Sequence, residues 1–551
     1  MFRTLSRSLM LSAVVAGSLF AQLPPVPAPP ENPITAEKAV LGKILFWDEQ
    51  LSSDNTTACG TCHISEVGGG DPRASTPGNI HPGPDGMFAT SDDIRGSRGV
   101  VHCAPSGDFT PEPHFFPRPQ VTARKSPSFI GVQWADELFW DGRASGTFVD
   151  PETNQIAIAW GGALESQAAG PQVSSVEMAC STRSYGEINA KLLSVLPLRL
   201  AQNLPADVAA ALAQYPTYPD LFQAAFGDPT INAVRIAKAI ATYERTLVPD
   251  GTPFDDYMNG NPAAMTPQQI LGMNLFNSTA NCAQCHVAPL FTDNSFANIG
   301  VRPALEDIGR EQVTAFPPDR GAFRVPSLRN SGLRAPFFHN GGKQTMLDVV
   351  LFYQIGGDFP NQATLDPRLV PVPMTHSERV AVADFVENAL TDPRVALAQY
   401  PFDRPMLRSE LAGYMSTFGL EKSGLGGIVP RHVTASEPYL GNAQFRVGLS
   451  GALGGAPAYF VLADTPALPG TAFNTIPLNV DPASAFLLAI PTTLSGASGV
   501  AGAGYASVAL PIPMNPALDD LTLYFQWIVV DPSVSDYIST TKGLMVTTFT
   551  P

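Results

Sequence analysis

The pentapeptide Cys59-Gly60-Thr61-Cys62-His63 recurs in kind as Cys282-Ala283-Gln284-Cys285-His286. In each, two thiols stand about one helical turn apart with an imidazole beside the second. At this spacing both thiols can add to the vinyl groups of a haem while His63 or His286 supplies the proximal ligand to iron. Zinc sites and dithiol redox pairs also use Cys-x-x-Cys. A zinc site, however, would draw all four cysteines into one small module, and these pairs lie in different halves of the chain. The motifs predict a redox protein carrying two covalently bound haem c groups, attached at Cys59, Cys62, Cys282 and Cys285.

Such attachment takes place outside the cytoplasm, and the N-terminus independently points there. Arg3 and Arg7 precede an apolar stretch from Leu9 to Phe20, and small residues around Ala21 suit a cleavage site, so 1–21 reads as a signal peptide. That stretch is short for a bilayer, and later apolar runs are broken by Pro, Gly or polar residues. The expected location is periplasmic or otherwise extracytoplasmic, with no membrane span. Of the six cysteines, Cys103 and Cys180 remain after haem attachment. A disulfide suits an oxidising compartment, two buried thiols are the alternative, and the sequence leaves both open. A formal charge of −16 argues against a nucleic-acid partner and suits a basic electron donor.

These motifs need scaffolds. Residues 22–251 mix helices with long Pro/Gly-rich loops, and Val234 to Arg245 has apolar residues at helical spacing. Residues 252–400 open with Thr266-Pro267, an N-cap followed by proline at the first helical position. A further helix is expected from Ser377 to Leu390, burying Val380, Val382, Phe385, Val386 and Leu390. Residues 401–435 read as a linker. From Ser436 to the end the chain is poor in charge, lacks Cys and His, and alternates at Phe445, Val447 and Leu449; Leu521 to Trp527 reads as another strand. The expected architecture is multidomain: two mainly α-helical cytochrome c-like haem domains followed by a C-terminal all-β, sandwich-like domain. The last is expected to be an interaction or attachment module, or else a packing extension that shields the haem domains.

The text around both motifs resembles the bacterial di-haem cytochrome c peroxidase family, including its MauG-type branch. The resemblance runs through Leu41-Gly42-Lys43-Ile44-Leu45-Phe46-Trp47-Asp48, Ser126-Pro127-Ser128, Phe139-Trp140-Asp141-Gly142-Arg143, Glu165-Ser166-Gln167-Ala168 and Glu177-Met178. It continues through Phe323 to Asn330 and Ala335 to Gly341, covering roughly residues 33–400. It implies a peroxide-reacting first haem, with Glu177 matching the family's catalytic glutamate and Gln167 the glutamine that holds peroxide and water. Trp140 matches the tryptophan between the haems, while Asp141 and Arg143 read as structural or as propionate contacts. Counting from His339 places the second haem's sixth ligand on Tyr353, where typical peroxidases have methionine and the MauG-type branch tyrosine. A phenolate favours higher iron oxidation states than a thioether does.

The implied activity is reduction of hydrogen peroxide to water, or its use to form high-valent iron that oxidises a substrate. The implied partners are an electron donor such as a small c-type cytochrome, or an oxidisable protein. Two alternatives stand beside this: a conventional peroxidase whose second haem is ligated by Met346 or Met374, and a non-catalytic di-haem electron carrier. The chain also departs from the family. Among His81, His102 and His114 none has the spacing of the family's distal histidine, which implies a five-coordinate first haem. The family's inter-haem calcium position carries Lys125 and Arg334, so calcium is expected, if at all, in the loop of Asp85, Thr90, Asp92 and Asp93.

Overall fold

The computed structural model describes residues 22–551; the expected signal peptide lies outside the described residues. Three helices frame the first unit: α1 (Ala36–Trp47), the short α2 (Ala163–Ala168) and α3 (Ala233–Thr246). Thr35 and Asn232 start α1 and α3 by accepting a hydrogen bond from Lys38 N and Arg235 N. The two helices cross at Gly42, where a β-carbon would stand 1.9 Å from the carbonyl oxygen of Ala239. This contact brings Leu41, Ile44, Leu45 and Phe46 onto Ile236, Ile240 and Tyr243 in one buried cluster. Trp47 closes it, with Nε1 donating to Tyr243 Oη at 3.1 Å. Its ring lies so close beneath the first thiol-bearing turn that a β-carbon on Gly60 would meet it at 2.1 Å.

The second unit repeats this device with α4 (Pro267–Phe276), α5 (Met346–Ile355) and α6 (His376–Asp384). Thr266 and Gln269 form the capping box of α4, and Gly272 crosses α6 with its β-carbon position 2.0 Å from the carbonyl oxygen of Ala381. The expected helix through Leu390 widens into a π-turn at Phe385–Ala389. Phe385 and Val386 remain buried, as do Val382 and Leu390, whereas Val380 is only partly covered. Phe254, Phe276, Phe291 and Phe385 pack edge to face in this core.

The chain then returns to the first unit. Val395, Phe402 and Leu407 join the first core, and the buried Glu49 carboxylate accepts from Arg408 N and Ser409 N. The stretch 401–435, expected as a linker, therefore has structure of its own, and it supplies strands β3 and β4 below. The reason is pairing outside the stretch itself, of Met415–Phe418 with residues more than a hundred positions on and of Arg431–Val433 with Arg446–Ala452, which a local pattern does not show.

A hairpin in the first unit comprises β1 (Arg98–Val101) and β2 (Pro119–Val121). Beyond 410 the structure is a region of antiparallel sheet. The strands of its two larger sheets are β3 (Met415–Phe418), β4 (Arg431–Val433), β5 (Arg446–Ala452), β6 (Pro457–Ala463), β7 (Leu487–Thr493), β8 (Gly504–Ala509), β9 (Thr522–Val530), β10 (Ile538–Thr540) and β11 (Gly543–Thr547). One sheet has the order β4-β5-β8; the other runs β7-β6-β9-β11-β3, with β10 also paired to β9. Val447 and Leu449 from the first sheet and Phe460, Phe525 and Trp527 from the second share one apolar core. Among the described residues no helix is long and apolar enough to cross a membrane.

One ion pair fixes the loop that follows the second haem motif. Arg329 holds Asp255 with two hydrogen bonds of 2.7 Å and reaches Pro289 O at 2.8 Å. Both side chains are no more than 4 % exposed. Asp255→Asn leaves that guanidinium buried without a counter-charge, and we expect a loss of about 3–5 kcal/mol. Urea unfolding of the holoprotein followed by far-UV circular dichroism checks it.

Candidate functional site

The first motif opens onto a cavity of about 580 Å3. Cys59 and Cys62 sit as free thiols on the turn Cys59–Cys62. His63 Nδ1 lies 3.1 Å from the carbonyl oxygen of Gly69. A carbonyl can only accept, so Nδ1 carries the proton and Nε2 is left as a lone-pair donor. Burial holds the His63 pKa below the usual range and keeps the ring neutral.

Glu177, Gln167, Trp140 and His81 line the same cavity. Glu177 lies on the segment after the 3-10 turn Pro171–Val173, and its backbone carbonyl accepts from Val100 N at 3.2 Å. Burial raises its carboxyl above the ordinary range, against a hydrogen bond from Ser174 and the charge of Arg143. Gln167 projects from α2. Asp141 fixes its turn by accepting from Arg143 N at 3.1 Å and pairs with Arg124 at 2.6 Å.

His81 was not selected by sequence spacing; only the folding of its loop brings it to the wall. His102 is instead engaged by Thr110, at 2.9 Å, and His114 is exposed. Gly83 N donates to His81 Nδ1 at 3.1 Å. That assigns the His81 proton to Nε2 and makes the ring a hydrogen-bond donor.

The second motif faces a separate cavity of about 210 Å3, lined by Cys282, Cys285, His286, Tyr353, Met346 and Met374 among others. His286 repeats the arrangement of His63, with Nδ1 3.0 Å from the carbonyl oxygen of Phe291. Tyr353 comes from α5, and burial pushes its hydroxyl above the usual tyrosine range with no hydrogen bond to offset it. Met346 and Met374 belong to the apolar core of this unit.

Between the cavities lies a shared wall that includes Lys125, Trp140 and Arg324. Trp140 Nε1 donates to Lys125 O at 2.7 Å, and Trp140 O accepts from Arg324 N at 2.8 Å. Burial draws Lys125 down to about 7 and both Arg324 and Arg334 down to about 10. Arg324 Nε has no partner among the described residues. Buried cations without counter-charges are costly. A haem in each cavity would supply carboxylates as counter-charge for such cations, vinyl groups for both thiol pairs and an iron for each Nε2. The residues present fit that group.

Calcium is not shown. Among the described residues no group of three or more His, Cys, Asp or Glu side chains could hold a metal ion. In the loop proposed from sequence Asp92 accepts from Thr90 Oγ1 at 2.6 Å and Asp93 Oδ2 from Ala89 N at 2.9 Å, while Asp93 Oδ1 has no partner among the described residues. Cys103 and Cys180 form a disulfide, with Cα atoms 4.8 Å apart.

Comparison with known proteins finds relatives of the helical region. The sequence profile of the family described as di-haem cytochrome c peroxidase matches residues 36–263. The chain is 30% identical over 350 residues to the cytochrome c551 peroxidase of Nitrosomonas europaea, spanning 63% of this chain and 81% of that one. It is 30% identical over 339 residues to the methylamine utilization protein MauG of Methylophilus methylotrophus, spanning 60% and 76%. A solved MauG-like protein associated with microbial copper homeostasis shares the fold of the helical region, with a TM-score of 0.50 and 24% identity over 69% of this chain and 97% of that one.

The charged wall carries its own test. Arg324→Gln removes a buried positive charge beside both cavities, which disfavours the electron-rich state of a bound haem. Potentials of the holoprotein are expected to fall by about 1 kcal/mol, on the order of 50 mV for a one-electron couple. Spectroelectrochemical titration reads the shift, and unchanged potentials would mean that this charge is screened.

Proposed function

The chain belongs to the di-haem cytochrome c peroxidase family and is an oxidoreductase acting on peroxide, and from that premise we propose that it is of the MauG-like kind. It reacts with peroxide in its oxidised state and passes the oxidising equivalents to an electron donor, such as a small c-type cytochrome, or to an oxidisable protein. The observation that carries this reading is Tyr353. Its half-buried side chain lines the second cavity, and among the described residues its hydroxyl has no hydrogen-bond partner, so the oxygen is free to meet a group bound there. Met346 and Met374 already serve the apolar core. Tyr353, rather than a methionine, is therefore the residue that, with His286, would hold the iron of a haem bound in this cavity.

Bound haem supplies the redox-active iron at which peroxide is reduced. The chain supplies proton handling and position. Glu177 takes a proton from one peroxide oxygen and delivers it to the other as the O–O bond breaks, so that this oxygen leaves as water. Two electrons and two further protons complete the reduction to a second water. The raised carboxyl of Glu177 suits both halves of the transfer, since it holds a proton more readily than a solvated glutamate does. Gln167 orients peroxide and water, and His81 adds a donor through Nε2. Because its Nδ1 already accepts from Gly83 N, His81 is poorly placed to ligate iron, which favours a site open without prior reduction. Trp140 lies where both cavities meet and gives charge an aromatic path between them. The Cys103–Cys180 disulfide supports an extracytoplasmic location.

Stoichiometric peroxide added to the oxidised holoprotein, followed by optical, near-infrared and EPR spectroscopy, tests the subtype. Loss of both ferric signals is expected; reaction only after one-electron reduction would point to a conventional peroxidase, and no reaction in either state to an electron carrier. Glu177→Gln is expected to slow the peroxide reaction by about 10²–10⁴-fold with both haems still attached. In the parent protein the rate should rise with pH through a limb set by this carboxyl, above the usual glutamate range, because the ionised form takes the first proton. That limb should vanish in the variant.

A further inference from the structure

The segment that carries Glu177 is held from one side by the β1–β2 hairpin. Gly99 approaches it so closely that a β-carbon would stand 2.1 Å from Val176 O and 2.5 Å from Glu177 O. Val100 N donates to Glu177 O, Ser181 N donates to Cys103 O at 2.9 Å, and Gln120 Nε2 donates to Ser175 O at 2.6 Å. The Cys103–Cys180 bond fastens the loop of this hairpin covalently, three residues beyond Glu177.

That loop is gripped by the C-terminal region. Strand alternation turns Val447 and Leu449 of β5 into the shared core and leaves Arg446 and Gly448 on the opposite face. Arg446 pairs with Asp108 at 3.3 Å and donates to Ser106 O, while Gly448 lets Phe109 pack directly on the strand, 2.7 Å from its β-carbon position. From β8, Ser507 Oγ accepts from Phe109 N at 2.9 Å, and Tyr505 packs edge to face on Phe116 at 5.6 Å. Val101, Phe109 and Val433 are buried together. Behind the loop, a cavity of about 660 Å3 lined by Cys103, Cys180, Lys191 and Arg446 leaves that flank unsupported by the first unit.

We propose that the outer face of the three-stranded sheet positions the peroxide site, with Arg446 as the positioning residue that holds Glu177 through the 101–116 loop and the Cys103–Cys180 bond. The inference rests on the reading of Glu177 given above, and it gives the C-terminal region a part in the reaction. Removing the grip lets the loop and the glutamate segment drift together, since the disulfide couples them.

The test is a double-mutant cycle on the holoprotein with both haems attached. Arg446→Ala is expected to slow the reaction with stoichiometric peroxide on the order of tenfold, the scale of a misplaced reacting group. It should also alter the ferric EPR signal of the first haem and leave that of the second unchanged. Arg446→Lys should recover part of the rate, because an ammonium can still meet Asp108, and Arg431→Ala, an exposed site on the same sheet, should match the parent. In a Glu177→Gln background Arg446→Ala should add no further slowing. Equal slowing in both backgrounds, or a parental rate and signal in Arg446→Ala, overturns the proposal. A parental rate in Glu177→Gln alone overturns the Glu177 reading and is seen separately. If Arg446→Ala fails to fold, Ser507→Ala, which removes the hydrogen bond to Phe109 N, is judged by the same criteria.

Discussion

Two buried cations, Lys125 and Arg324, lie where the two cavities approach each other, with the half-buried Arg334 beside them on the second cavity, and desolvation lowers the pKa of each. An apolar interior does not hold such charge without an anion nearby. Everything around the wall is arranged as if that anion arrives with the cofactor: both imidazoles are pinned through Nδ1 to a carbonyl, and all four thiols face cavities. The polypeptide thus carries a demand for haem in its electrostatics as well as in its thiols. A divalent cation at this junction would meet the cationic side chains of Lys125 and Arg334.

The helical units share one construction and diverge in chemistry. In each, a glycine on the helix before the haem motif lets a later helix approach to backbone contact, Gly42 against Ala239 and Gly272 against Ala381. In each, the proximal ring is oriented by a main-chain oxygen. The asymmetry lies in what lines the rest of the cavity. The first receives a raised carboxyl, an amide and an imidazole donor. The second receives a phenol and a tightly packed apolar core. Similar scaffolds therefore present different faces, one suited to moving protons and one to holding charge.

Local signals made much of this legible. The capping box at Thr266 and Gln269, the helical spacing in Val234 to Arg245 and the alternation at Phe445, Val447 and Leu449 each have a short-range physical cause, and each element stands where it is expected. The Cys-x-x-Cys-His turns declared their chemistry for the same reason. What stayed hidden depends on distant partners. Met415–Phe418 and Arg431–Val433 are too short to read as strands and exist because Gly543–Thr547 and Arg446–Ala452 offer them edges. His81 reaches the cavity only through the path of a long loop. Its spacing from the Ser126-Pro127 pair could not show this, and the turn to Gly83 N was the only nearby clue.

The return of Val395, Phe402 and Leu407 to the first core means that the second unit is inserted within the first rather than following it. A chain emerging from its N-terminus therefore cannot finish the first unit until more than four hundred residues have been made, although the thiols of Cys59 and Cys62 appear early. The sheet that covers the 101–116 loop comes later still. The closures are thus nested in chain order: the turn of Cys59 and Cys62 comes first, the second unit lies inside the frame that residues 395–407 close, and the strands that cover the 101–116 loop come last.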